Sequence, residues 1–147
     1  MILMRGLAGL ALLLVSCSST VAQSESETPA DQPATVQLGQ PFELAVGGAA
    51  VIAETGLQVT LRAVPEDSRC PPDVNCIWAG RVSIELEAQA PGEAAETFTL
   101  STCCGVDASQ RSYAGQTTQL ADVAPGPARA GQSTSEQDYR VQLVVST

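Results

Sequence analysis

Two stretches decide the architecture: Leu57-Gln58-Val59-Thr60-Leu61-Arg62-Ala63 and Val82-Ser83-Ile84-Glu85-Leu86-Glu87-Ala88. In each, apolar and polar residues alternate strictly. Successive side chains of a strand point to opposite faces, so this pattern marks strands with one face in a core and the other in water. Phe42, Leu44 and Val46 alternate in the same way, as do Phe98 with Leu100 and Tyr139, Val141, Leu143 with Val145. Turn formers separate the runs: Gly47-Gly48, Thr55-Gly56, Pro91-Gly92 and Pro125-Gly126-Pro127. Residues 114–123 read as a weak strand. No segment after the leader sustains the i, i+3, i+4 spacing of an amphipathic helix. The expected fold is all-β: a small antiparallel β-sandwich, or a partly open barrel, of about seven or eight strands across residues 36–147.

Upstream, composition changes twice. Ser18 to Thr35 carries one large aliphatic residue, Val21, among Ser, Thr, Glu, Gln and Pro. Such a segment has too little apolar surface to offset its ordering entropy, so residues 17–35 are expected to be a flexible tether. Before it, Arg5 precedes a nine-residue apolar run, Leu7 to Val15, too short for a bilayer span and matched to the core of an export signal. The run ends in Leu14-Val15-Ser16-Cys17, which resembles the bacterial lipobox. The resemblance implies a signal peptide at 1–16 and lipidation of the Cys17 thiol. Several acyl chains anchor stably where one is marginal. Ser rather than Asp at position 18 favours the outer membrane in a Gram-negative cell.

Charge and missing residue types narrow the chemistry. The chain has 147 residues, no His and no Lys, and a net charge of −9. Without the leader it keeps six Arg against sixteen acids. Nucleic acid is not an expected partner, because phosphate neutralisation needs a basic surface. The acidity suits solubility, or a high-salt habitat. Without His or Lys there is no Ser-His-Asp or Cys-His machinery and no Schiff base. Glycine loops for phosphate and nucleophile-elbow motifs are missing too. The expectation is a non-enzyme without cofactor or metal.

Beyond Cys17 there are four cysteines, and export implies an oxidising compartment. Cys70 and Cys76 flank Pro71-Pro72 and Asp73-Val74-Asn75, a turn-forming run that favours their pairing. Cys103 and Cys104 are adjacent; a vicinal disulfide and two free thiols both remain open, as does pairing across to the first two.

The densest segment is Asp67-Ser68-Arg69-Cys70-Pro71-Pro72-Asp73-Val74-Asn75-Cys76-Ile77-Trp78-Ala79-Gly80. It resembles a loop, Asp-Ser-Arg-Cys-Pro-x-Asp-Val-x-Cys-x-Trp-x-Gly, shared by uncharacterised bacterial envelope lipoproteins. The similarity continues through Val82 to Leu86, a Leu-x-x-Val-x-Pro stretch at Leu120 to Pro125, and Asp138-Tyr139. Cys103-Cys104 and the Pro-Gly-Pro at 125–127 depart from it. The resemblance implies an envelope location and no defined activity. From the residues, Arg69 is expected to pair with Asp67 or Asp73, and Trp78 to cover the core beside the bridge. That leaves Asp73 and Asn75 as a polar tip for partner contact. The functional expectation is a non-catalytic binding or structural module, held to the membrane by its lipid. One alternative is an inhibitor or sensor of an exported protein, acting through the Cys70–Cys76 loop. Another is a redox protein using Cys103 and Cys104.

Overall fold

The computed structural model describes residues 32–147. The expected signal peptide, the expected lipidation site Cys17 and most of the expected tether lie outside that range. Nine strands follow in order: β1 (Ala34–Val36), β2 (Pro41–Ala45), β3 (Ala49–Ile52), β4 (Gln58–Asp67), β5 (Val82–Gln89), β6 (Glu96–Ser101), β7 (Gln110–Tyr113), β8 (Gln116–Ala124) and β9 (Arg140–Ser146). The helical pieces described are one turn at Val106–Ser109 and a 3-10 turn at Glu136–Asp138. The strands make two open sheets, β1-β3-β4-β5-β6 and β2-β9-β8-β7. The fold is an all-β sandwich, as the alternation predicts.

The alternating residues form the core between the sheets. Val59, Leu61, Ile84, Leu86 and Leu100 from one sheet and Leu44, Val141, Leu143 and Val145 from the other are almost wholly buried. Their registers put like against like: Leu61 beside Leu86, Leu86 beside Phe98, Leu143 beside both Phe42 and Leu120. Full burial of each such side chain contributes about 1.5–3 kcal/mol. A one-residue slip would turn a strand's whole apolar set to water, so burial of one face specifies the register. At one end Tyr113 ties the sheets, its hydroxyl donating to Ala94 O at 2.6 Å and accepting from Ala90 N at 3.3 Å.

Four features differ from the sequence expectation. There are nine strands rather than seven or eight. The extra ones are short: β3 is Ala-Ala-Val-Ile, without alternation, and β7 is mostly polar. Ala34 and Thr35, assigned above to the tether, pair in parallel with Ala50 and Val51, so the sheet begins inside the expected linker. That makes β1–β3 a parallel pair in an otherwise antiparallel fold. The weak strand at 114–123 is the well-formed β8. It starts at Gln116 after a two-residue hairpin turn, Ala114-Gly115, both at positive φ (49° and 76°). Ala in place of the usual Asn hides that turn from a sequence reading.

Two register shifts along β4, between Leu61 and Ala63 and between Ala63 and Glu66, accentuate its bend and twist. The end of β4 reaches the pole of the sandwich where β8 ends and β9 begins.

Candidate functional site

The β4–β5 hairpin does not stop at its last sheet pair, Asp67 with Val82. Ser68 N donates to Arg81 O at 2.7 Å and Cys70 N to Ala79 O at 2.8 Å, so a narrow two-chain stem runs off the end of the sandwich. The Ser68 hydroxyl bridges the stem, donating to Arg81 O and accepting from Arg81 N, both at 3.2 Å. Gly80 sits at φ +70°, and a Cβ there would lie 1.7 Å from Ser68 O. Only glycine fits this crossing. Beyond the stem the chain rounds a turn closed by Val74 N to Pro71 O, and a Cys70–Cys76 disulfide, Cα atoms 6.0 Å apart, fastens its ends.

Arg69 latches the stem to the second sheet. Its side chain forks onto Asp67, Nε to Oδ1 at 2.8 Å and Nη2 to Oδ2 at 2.6 Å. The same guanidinium donates to Val123 O at 3.0 Å and Pro125 O at 2.9 Å, at the end of β8. Tyr139, buried at the start of β9, donates its hydroxyl to Asp67 Oδ2 at 2.8 Å. The Arg69 and Asp67 side chains are only 15% and 16% exposed. Arg69's hydrogen bonds hold the Asp67 carboxyl below its ordinary range, against the opposing effect of burial. Burial first, then the bond to Asp67, pushes the Tyr139 hydroxyl up. Asp67, Arg69, Val123, Pro125 and Tyr139, scattered through the motif-bearing segments, thus meet in one cluster.

The loop tip does not face the core. Trp78 is 83% exposed and Ile77 92%, with Val74 at 46%; they are the large exposed hydrophobics among the described residues. This corrects the expectation that Trp78 covers the core beside the bridge. The stem carries residues 70–79 past the last sheet pair, so no opposing sheet remains to receive the indole. Cys76 is exposed as well, so the bridge braces a projecting loop and does not join the core. Asp73 and Asn75 are both exposed, as expected of a tip. Asp73 is also tied down: its Oδ1 accepts Ala130 N at 3.0 Å, holding the 126–135 segment to the loop. Ile77 and Trp78 are therefore exposed apolar residues that the sequence reading missed. Their adjacency was an available signal, because neighbours in extended chain point to opposite faces and a single core takes one of them.

Beside the stem lies a hollow of about 440 Å³. Trp78, Ala79 and Gly80 line it, with Cys103 and Cys104 after the end of β6. These two cysteines bridge each other, with Cys104 at φ +80° followed by Gly105 at +100°. In the same wall Glu66 takes Arg81 in an ion pair at 2.9 Å. Glu66 and Asp67 are thus both committed to arginines, and no cluster of three metal-ligand residues occurs among the described residues. The arrangement offers a braced apolar surface.

Comparisons with protein-family models, with curated proteins and with solved structures find no match to this chain.

Proposed function

We propose that this chain is a cell-envelope lipoprotein, anchored through Cys17, whose sandwich displays a non-catalytic binding module. The contact element is the braced loop from Val74 to Trp78. The observation that carries this reading is the exposure of Ile77 and Trp78 on a loop held by a disulfide, the Arg69 latch and Gly80. Two large apolar side chains in water are costly, and a stiff loop loses little entropy on binding. Trp is also the residue most used as an interface anchor. The apolar leader ending in Leu14-Val15-Ser16-Cys17 supports the anchor, and so does the resemblance of residues 67–80 to envelope lipoproteins.

Replacement of Ile77 by a photo-crosslinking residue in living cells tests the reading. Adducts are expected there and not at Thr99, an exposed position on β6. Equal labelling at both sites, or none at 77, refutes it. An inhibitor or sensor of an exported protein would use the same loop and is the alternative. The redox alternative has one observation in its favour: the Cys103–Cys104 bridge lines the same hollow as Trp78.

A further inference from the structure

We propose that the occupant of the exposed tip is the lipid bilayer itself: Ile77 and Trp78 dip into the membrane that holds the Cys17 anchor. The inference rests on the anchor reading given above.

The direction in which the chain enters the fold is the first argument. β1 runs parallel to β3, and β3 runs antiparallel to β4, pairing Ala50 with Val59 and Ala49 with Thr60. Followed backwards from Ala34, the chain therefore runs the same way as β4 does toward Asp67. Gln32 and Pro33 share a surface hollow with Thr60 and Arg62, which fits that direction. From Ala34 back to Gln32 the chain thus heads for the pole that carries the Trp78 loop.

Reach is the second. Arg62 in β4 and Cys70, which faces Ala79 at the base of the loop, are eight residues apart, roughly 26 Å at strand spacing. Fourteen residues, 18–31, lie between Cys17 and the first described position, Gln32. Fourteen residues reach at most about 50 Å when fully extended. That reach exceeds the length of the stem, so the loop and the anchor can touch one bilayer. A protein partner would have to come from elsewhere, whereas the anchor brings the bilayer within reach.

The chemistry of the tip is the third. A body with ten more acids than cations gains nothing electrostatic from anionic lipid, so contact has to be apolar and shallow. Of the carboxylates at this end, Glu66 and Asp67 are paired with Arg81 and Arg69, and Asp73, in the loop itself, accepts Ala130 N and stays at the exposed rim. Trp suits the headgroup boundary, with an apolar ring and one N–H donor. Two side chains would hold a free domain weakly. An anchor converts that contact to an intramolecular one at high effective concentration.

Trp78 is the only tryptophan in the chain, so its fluorescence reports this residue alone. The full lipidated protein is reconstituted into phosphatidylethanolamine–phosphatidylglycerol vesicles and grown with labelled fatty acid. Emission is expected to shift to the blue of that of the Cys17→Ala chain. Acyl-brominated lipid should quench it, as a residue at the acyl boundary requires. Ile77→Ser should reduce both effects. A chain that carries no fatty acid overturns the anchor and this inference together. A labelled, vesicle-bound chain whose emission stays at the aqueous position overturns the insertion and leaves the anchor standing. A blue shift that ignores brominated lipid and grows with protein density shows a protein contact, and overturns it too.

Discussion

Replacing Arg69 by Ala removes the latch between the hairpin stem and the second sheet. Its side chain makes two hydrogen bonds to Asp67 and one each to Val123 O and Pro125 O. An exposed ion pair contributes about 0–1 kcal/mol, and breaking a fully buried one costs about 3–5. With both side chains near 15% exposure the pair lies toward the buried end. The variant leaves a carboxylate with Tyr139 as its remaining side-chain partner and two carbonyls without this donor, so the expected loss is about 2–4 kcal/mol. A small domain has a urea slope of about 1–3 kcal/mol/M, so a loss of about 3 kcal/mol should lower the midpoint by roughly 1–3 M with the slope unchanged. Arg69→Lys should recover less than about half of the loss, because an ammonium cannot fork onto Asp67 and reach two carbonyls at once. Arg62→Ala is the control: its pair with Glu87 lies in water, 49% and 27% exposed, and should contribute little to stability. If Arg69→Ala and Arg62→Ala cost the same, or if Lys restores full stability, the latch reasoning fails.

Gly80→Ala should cost about 2–4 kcal/mol or prevent folding, since it combines a positive φ with a Cβ 1.7 Å from Ser68 O; wild-type stability in a urea melt would contradict the stem geometry. Trp78→Ala should change stability by less than about 1 kcal/mol, where a buried Trp would cost about 3–5, and Leu86→Ala should cost about 2–5 in the same thermal melts. Acid should weaken the fold through Asp67. Its folded pKa lies below the unfolded value of about 3.9, so its contribution is full above that pH and is lost as pH falls through the folded value. Asp67→Asn should be less stable at neutral pH and lack this component of the acid loss, as paired melts across pH 2–6 would show. Tyr139 acts with the opposite sign: its raised pKa means its contribution holds below about pH 10 and is lost as pH rises through the folded value.

Sandwich architecture was legible in the sequence because a period of two is a local property. Leu57 to Ala63 and Val82 to Ala88 had to be strands with one wet face whatever lay opposite them. The pairing of Cys70 with Cys76 was legible for a similar reason, since a short proline-rich run brings its own ends together. Lacking alternation, β1, β3 and β7 could be recognised only through the partners that the tertiary fold supplies. The orientation of Trp78 was beyond local reading. A lone tryptophan beside a disulfide suits a core as well as a surface, and the choice depended on where the second sheet ends. Ser68, Cys70, Ala79 and Arg81 extend the hairpin past that edge, so the indole has no core to enter and faces outward. The latch was equally hidden: Arg69 and Asp67 are two residues apart, but Val123, Pro125 and Tyr139 join them only when both sheets close. Local periodicity and chain connectivity therefore determined the strands and the loop bridge. The face that the loop offers depended on contacts between residues distant in sequence, which no local pattern encodes.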